Sequence, residues 1–151
     1  MKQLVIKNME LEQVEGVHRI FEECFTMEKW SRSSIEYELT NPIAVTLVAM
    51  DGDQVAGFVN VHHIMGEGDL NDIAVSSAYR RQGVAASLMQ QLFLLAKEKG
   101  ISSYTLEVRA SNHGAIAFYE KMGFVPVGER KNYYSKPVEN ALLYRVDLGE
   151  V

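Results

Sequence analysis

A basic turn at residues 80–86 is the clearest sign of chemistry in this 151-residue chain. It reads Arg-Arg-Gln-Gly-Val-Ala-Ala, follows an apolar segment and opens a predicted helix. The unpaired N–H groups and positive dipole end of a helix start bind phosphate well. Gly83 lets a ligand come close to the backbone, while Arg80 and Arg81 add charge. The turn therefore predicts an anion site, although a solvated basic turn that only starts a helix has the same local spacing.

Other ligand-binding patterns do not fit. No Lys-Ser or Lys-Thr pair follows Gly83, which excludes a Walker-type loop, and the G-x-G-x-x-G dinucleotide pattern is missing. Adjacent His62 and His63 point to opposite faces of a strand, and no Cys or Asp cluster supports them, so we predict no metal site. Cys24 lies on a predicted helix among apolar neighbours and is interpreted as an inert thiol.

Three further polar side chains are candidates for chemistry. Glu107 lies in a predicted strand, on the face that it shares with Thr105 and Arg109. Tyr119 lies on the apolar stripe of a short predicted helix, and Asn112 is a natural N-cap for that helix. From position alone, Glu107 would form a structural salt bridge with Arg109, Tyr119 would be a core tyrosine, and Asn112 would be a helix cap.

The elements that must position these residues follow from hydrophobic periodicity. Strands are predicted at residues 4–6, 45–50, 55–61, 70–75, 104–108, 124–127 and 141–148, and helices at 10–23, 31–39, 84–99 and 115–122. Asp51-Gly52 predicts a hairpin. A strand–helix–strand crossover in a mixed sheet predicts an α/β fold, with a parallel pair formed by residues 70–75 and 104–108. No repeat or linker divides the chain, so we expect one domain over residues 1–151.

Composition narrows the function classes. The chain is 47% hydrophobic and 23% charged, which is typical of a globular protein. No apolar run approaches the ~20 residues of a membrane-spanning helix, and the N-terminus becomes polar too soon for a signal peptide. A net charge of −5 disfavours a nucleic-acid partner but suits a cationic one. The single cysteine suits a reducing compartment, so we expect a cytoplasmic protein that binds neither nucleic acid nor membrane.

The pattern Arg80-x-x-Gly83-x-Ala85 resembles the pyrophosphate-binding motif of the GNAT N-acetyltransferase superfamily, Gln/Arg-x-x-Gly-x-Gly/Ala. Three more segments, in the right order, are similar to its ribosomal-protein-alanine N-acetyltransferases (the RimI type): Phe25-Thr26…Trp30-Ser31, residues 106–124, and Asn132-Tyr133-Tyr134. The resemblance implies a mixed, mostly antiparallel seven-stranded sheet with helices on both faces. Its central parallel pair would be splayed to hold acetyl-coenzyme A.

The resemblance also implies roles for the candidate residues. Glu107 matches the general base that removes a proton from the acceptor ammonium, and Tyr119 matches the residue that assists the departing thiolate. The resemblance assigns cofactor binding to Ile73, Ala74, Val75, Arg80, Arg81, Gln82, Gly83, Val84, Ala85, Ala86, Asn112 and Tyr119. It assigns the acceptor groove to Trp30, Asn132, Tyr133 and Tyr134. An aromatic edge of the core would use the same acceptor-side residues.

Two positions depart from the family's pattern. Lys29 stands where a proline usually precedes the tryptophan on the acceptor side, and Ala86 replaces a basic residue beside the phosphates. We therefore expect backbone N–H groups, Arg80 and Arg81 to hold the phosphates. The implied reaction is direct acetyl transfer to the N-terminal α-amine of a protein, such as a ribosomal protein. Transfer to another amine (a lysine side chain, polyamine, amino acid or small molecule) and a non-catalytic acyl-CoA-binding module are the alternatives.

Overall fold

The computed structural model describes residues 4–25 and 29–149. The strands in these residues are β1 (Val5–Asn8), β2 (Ala44–Asp51), β3 (Gln54–Ile64), β4 (Glu67–Val75), β5 (Ser103–Arg109), β6 (Val125–Tyr134) and β7 (Glu139–Asp147). The α-helices are α1 (Val14–Cys24), α2 (Arg32–Tyr37), α3 (Val84–Glu98) and α4 (His113–Lys121). Short 3-10 turns precede α1 and follow β4.

The strands form one sheet in the order β1-β2-β3-β4-β5-β7-β6. Neighbouring strands are antiparallel except β4 and β5, which are parallel because α3 connects them as a crossover. One core includes α1, α2 and the β3 residue Phe58, whereas the other includes α3, α4 and the β5 residue Leu106. The seven-stranded mixed α/β fold with helices on both faces is therefore confirmed.

The parallel pair diverges after only three residue pairs. These pairs join Glu67–Asp69 to Ser103–Thr105. The predicted parallel pair of these two strands is confirmed, although its hydrogen-bonded part lies at the beginning of both strands, so residues 70–75 and 106–108 border the gap. Asn71 is an extra residue in β4 opposite the step from Asn60 to Val61, and such a bulge turns its strand. The splay that the resemblance implied is confirmed.

Three of the other differences between the predicted and the observed element boundaries affect the path of the chain near the groove or at the edge of the sheet. The α1 helix begins at Val14, after a 3-10 turn, rather than at residue 10. The β4 strand begins at Glu67 because a tight turn through Met65 and Gly66, both with positive φ, joins it to β3. The β6 strand continues to Tyr134 rather than ending at residue 127. None of the helices within residues 4–25 and 29–149 is long and apolar enough to cross a membrane.

Candidate active site

A groove of about 700 Å³ lies where β4 and β5 diverge. Because neighbouring side chains of β5 point to opposite faces, the groove is lined on one face by Glu107 and on the other by Leu106. Trp30 lies on the α1–α2 side, and Tyr119 lies on the α3–α4 side. Side chains from both faces of the sheet thus line the groove.

The Glu107 carboxylate is accessible from the groove, with 31% of its side chain exposed. The neighbouring Glu107 carboxylate raises the pKa of the Tyr133 phenol because it favours the protonated form. Arg130 lies on the same side, with its Nε 3.9 Å from Glu107 Oε2. Arg109, the partner expected for a purely structural Glu107, forms a 3.1 Å salt bridge with Glu139. The site thus holds a carboxylate with a tyrosine donor beside it.

Tyr119 is both a core residue and part of the groove lining. Its side chain is 9% exposed, and its ring meets those of Phe118 and Phe124 edge-on at centroid distances of 5.7 Å. Burial raises the pKa of the Tyr119 phenol well above its usual value, and the charge of Asp72 adds to the effect. The hydroxyl is therefore a proton donor at neutral pH.

The start of α3 provides an open backbone site. Gly83 is the N-cap with φ = +75°, and it offers no side-chain cap to the first turn. The first intrahelical bond runs from the Ser87 N–H to the Gly83 carbonyl at 3.0 Å, so the N–H groups of Val84, Ala85 and Ala86 precede the hydrogen-bonded ladder. A Cβ on Gly83 would meet no atom within 4 Å. These features fit the predicted anion site.

The side chain of Arg80 contacts the end of β4 and the end of α1. Its Nε lies 3.5 Å from the Val75 carbonyl oxygen, and its Nη2 lies 3.4 Å from the Sγ of Cys24. Cys24 is only half-buried, and its thiol also contacts the Val75 carbonyl at 3.4 Å. Cys24 therefore packs against the apolar cluster of α1, as predicted, but it is not fully buried, because the end of α1 packs against the strand that enters the turn.

The end of β4 borders the gap with one edge. Ile73, Ala74 and Val75 pair with β3 on their other side, opposite Val59, Phe58 and Gly57. Because the ladder to β5 ends at Asp69, the backbone groups that face the gap have no strand beside them. Asn112 lines the same groove and caps α4, where its Oδ1 accepts the N–H of Ala115 at 3.2 Å. The predicted cap is confirmed.

Aromatic side chains form the walls on the Glu107 face. Trp30 stacks on Phe21 at a centroid distance of 5.8 Å. Tyr133 and Tyr134 meet edge-on at 5.1 Å and line the opposite wall. Asn132 is not part of the groove lining, since its side chain is exposed and its N–H donates to Asn140 Oδ1 at 2.9 Å. The structure thus brings together three of the four predicted acceptor-side residues.

Arg109 holds the turn that carries this wall, a role that the sequence did not suggest. Its guanidinium donates to the carbonyl oxygens of Ser135 and Pro137, both at 3.2 Å. The same guanidinium lies 4.4 Å from the centroid of the Tyr134 ring. The only available sequence signal was strand alternation, which puts Arg109 on the face of Glu107. Groove residues that received no role from the sequence include Phe25, Asp69, Asn71, Asp72, Thr105, Arg109 and Arg130.

The adjacent histidines face opposite sides of β3, as expected. His62 Nε2 lies 2.5 Å from Glu38 Oε1, whereas His63 Nε2 lies 2.7 Å from the Tyr104 hydroxyl. The residues that the structure describes contain no group of three or more His, Cys, Asp or Glu able to hold a metal ion.

Comparison with known proteins gives consistent matches. The acetyltransferase (GNAT) family model matches residues 14–124. A Bacillus subtilis protein named "putative ribosomal protein bS18-alanine N-acetyltransferase" is 36% identical over 96% of both chains. The ribosomal protein bS18-alanine N-acetyltransferase of Haemophilus influenzae is 38% identical over 66% of this chain and 69% of its own.

Solved structures agree with these matches. The ribosomal-protein-S18-alanine N-acetyltransferase from Escherichia coli superposes with a TM-score of 0.89 at 26% identity, over 98% of this chain and 96% of its own. Ard1 from Thermoplasma volcanium gives a TM-score of 0.89 at 29% identity, over 99% and 100%. The chain belongs to the GNAT acetyltransferase family. It is an acetyl-coenzyme A-dependent N-acetyltransferase, similar to the ribosomal-protein-alanine N-acetyltransferases.

Proposed function

We propose that this protein transfers the acetyl group of acetyl-coenzyme A directly to the N-terminal α-amine of a protein, with a ribosomal protein as the natural acceptor. The observation that carries the proposal is the groove where β4 and β5 diverge, with the Glu107 carboxylate on one face and the buried Tyr119 hydroxyl on the other. The names of the Haemophilus influenzae and Escherichia coli relatives support this choice of acceptor. Such an acceptor and the lone cysteine both favour the cytoplasm.

Acetyl-coenzyme A fits the backbone features on the α3 side. The N–H groups of Val84, Ala85 and Ala86 would bind the pyrophosphate, with Gly83 leaving room for its approach. The remaining contacts of the turn would come from Arg80, Arg81 and Gln82. The gap-facing edge of β4 at Ile73, Ala74 and Val75, together with Asn112, would hold the pantetheine. The cofactor supplies an activated thioester.

Glu107 would accept the proton of the acceptor ammonium, directly or through water. An α-ammonium has an ordinary pKa of about 7.7–8.0, so a carboxylate in an accessible groove is a sufficient base near neutral pH. The Tyr133 hydroxyl would orient this carboxylate by donating a hydrogen bond, and Arg130, 3.9 Å away, would offset part of its charge. The acceptor nitrogen would thus lose its proton on the face where the aromatic walls hold the peptide.

Tyr119 would assist the leaving sulfur from the opposite face. Because burial keeps its phenol protonated, the hydroxyl can donate a hydrogen bond or a proton as the carbon–sulfur bond breaks. A thiol of ordinary pKa, about 8.5, needs only modest help to leave. We therefore assign Tyr119 an assisting role, with Glu107 as the base.

The acceptor would enter between Trp30 and the pair Tyr133 and Tyr134. These rings offer apolar surface, and the tyrosine hydroxyls offer hydrogen bonds to a peptide backbone. Asn132 would contact only the part of an acceptor that extends beyond the groove. A chain end suits this narrow, two-sided groove because its first residue must reach the gap between β4 and β5.

The deciding experiment locates the acetyl group by mass spectrometry. One peptide library varies the first residue and has blocked lysines, and a second has a blocked N-terminus and free lysines. We expect release of free thiol and acetylation of α-amines in the first library. Acetylation confined to lysines would contradict the proposal and indicate that another class of amine is the acceptor. Tight coenzyme A binding with no thiol release from either library or from small amines would indicate the non-catalytic module.

A further inference from the structure

The last turn of α1 contacts the segment that leads into the cofactor turn. The carboxylate of Glu23 accepts a hydrogen bond from the N–H of Ser77 and lies 3.5 Å from the hydroxyl of Ser76. These serines begin the 3-10 turn between β4 and Arg80, and Ser76 provides no side-chain cap of its own. Glu23 therefore caps this turn from a different element, 54 residues away in sequence.

The contact between Glu23 and Ser77 involves a charged group, and Cys24 adds further contacts beside it. The hydrogen bond from Ser77 is the main cause that lowers the pKa of Glu23, and the nearby Arg80 charge acts in the same direction. Cys24, the next residue, touches both Val75 and Arg80. The end of α1 thus contacts the segment on both sides of the 3-10 turn.

The opposite side of this helical turn supports the acceptor wall. The ring of Phe21 lies 5.2 Å from that of Phe25 and 5.8 Å from that of Trp30, measured between centroids. Phe25 and Trp30 both line the groove on the Glu107 face. Residues 21–25 therefore contact the cofactor segment through Glu23 and Cys24, and the acceptor wall through Phe21 and Phe25.

We propose that Glu23 is a positioning residue that couples cofactor binding to the shape of the acceptor wall, an inference that rests on the proposed function. Phosphate bound at the start of α3 attracts Arg80 and fixes the segment that Glu23 caps. Glu23 then holds the last turn of α1 in the position that sets Phe25 and Trp30 for the acceptor. A ligand shifts such an equilibrium by its difference in affinity for the two arrangements, so the coupling must be reciprocal.

Trp30 is the single tryptophan of the chain and reports on this wall directly. The experiment titrates the protein with coenzyme A, without any acceptor, and follows the tryptophan emission to saturation. Wild-type protein should show a spectral change, and Glu23→Ala should lose at least half of it while still binding coenzyme A by calorimetry. Glu23→Gln keeps an oxygen that can accept the Ser77 N–H, so it should retain most of the response.

Glu12→Ala is the control, because this exposed carboxylate lies in the 3-10 turn before α1, at the other end of the helix from Glu23. It should respond like the wild type. An unchanged response in Glu23→Ala, or an equal loss in Glu12→Ala, overturns the proposal. Because this readout needs no acceptor, it separates failure of the coupling from failure of the proposed function.

A second measurement tests the consequence for the acceptor. Calorimetry compares the affinity of an acetylatable N-terminal peptide with and without saturating coenzyme A. We expect coenzyme A to tighten peptide binding on the order of fivefold in the wild type, and by less than twofold in Glu23→Ala. Equal tightening in both proteins overturns the coupling, whichever peptide is used.

Discussion

Arg109 Nη1 lies 3.1 Å from Glu139 Oε1, and this pair ties the middle of the sheet to the turn that carries the tyrosine wall. The other oxygen of Glu139 accepts the N–H of Ser111 at 2.6 Å, just before α4. One carboxylate thus fixes the turn between β6 and β7 relative to both β5 and the start of α4. Glu139, which takes no part in the proposed reaction, thus joins the tyrosine wall on one face of the groove to α4 on the other.

Replacing Glu139 should affect acceptor binding selectively. In Glu139→Ala, Arg109 and the Ser111 N–H lose the carboxylate that they share, so the turn is held only by the bonds from Arg109 to the carbonyls of Ser135 and Pro137, and the wall of Tyr133 and Tyr134 is less well fixed. We expect the KM for the acceptor peptide to rise about five- to tenfold, with coenzyme A affinity within about twofold of wild type. Steady-state kinetics and calorimetry measure the two quantities. Asp147→Asn, on the same strand but paired with Arg145, should leave both unchanged.

Loss of the carboxylate at Glu107 should affect turnover far more than cofactor binding. Glu107→Gln keeps the shape of the side chain but cannot accept the ammonium proton, so we expect kcat to fall about 10²-fold or more. Thiol release gives kcat, and calorimetry should give an unchanged coenzyme A affinity. Glu129→Gln, on the exposed edge strand, is the control. Full activity in Glu107→Gln would contradict the assignment of the base.

Tyr119→Phe should slow the reaction about tenfold without abolishing it, because the thiolate is a fair leaving group. The variant also has a signature in alkaline solution. A raised pKa in the folded protein gives stability that is present below the unfolded value of about 10 and is lost as pH rises further. Wild-type thermal stability should therefore drop between about pH 9 and 11, and the Phe variant should lose less. Equal losses measured by circular dichroism would disprove the effect.

Gly83→Ala tests the backbone site at the start of α3. A Cβ there meets no protein atom, so the costs are the positive φ, about 1 kcal/mol, and a methyl group where phosphate should approach. We expect coenzyme A affinity to fall about tenfold. Gly52→Ala is a matched control, since Gly52 also has positive φ and open space but lies in the hairpin between β2 and β3. It should show a similar loss of stability with unchanged coenzyme A affinity.

The sequence predicted the parts of the fold that depend on local pattern. Apolar spacing predicted α3, and Asp51-Gly52 predicted the hairpin between β2 and β3, because both depend on near neighbours. The length of β6 was missed because this exposed edge strand has no alternation of apolar and polar residues. Its register also shifts around Asn132, whose positive φ no sequence pattern indicated.

In the candidate site, too, the sequence predicted what depends on local pattern and missed what depends on contacts between distant elements. Glu107, Tyr119 and Asn112 could be placed by strand alternation, helix spacing and capping preference, all of which act within one element. The salt bridge between Arg109 and Glu139 spans 30 residues, and the contact from Glu23 to Ser77 spans 54. Such contacts depend on how the elements pack, and a single sequence carries no periodic signal for them.

The brevity of the parallel ladder has a consequence for motion. With three residue pairs joining β4 to β5, the seven strands form a four-stranded half and a three-stranded half with a narrow seam. Local opening follows the boundaries of such cooperative units. A donor molecule bound in the gap would act as a missing strand that joins the halves, so amide hydrogen exchange along this seam should slow when coenzyme A is added. The two halves of the sheet would then open together while the donor is bound, and separately when the gap is empty.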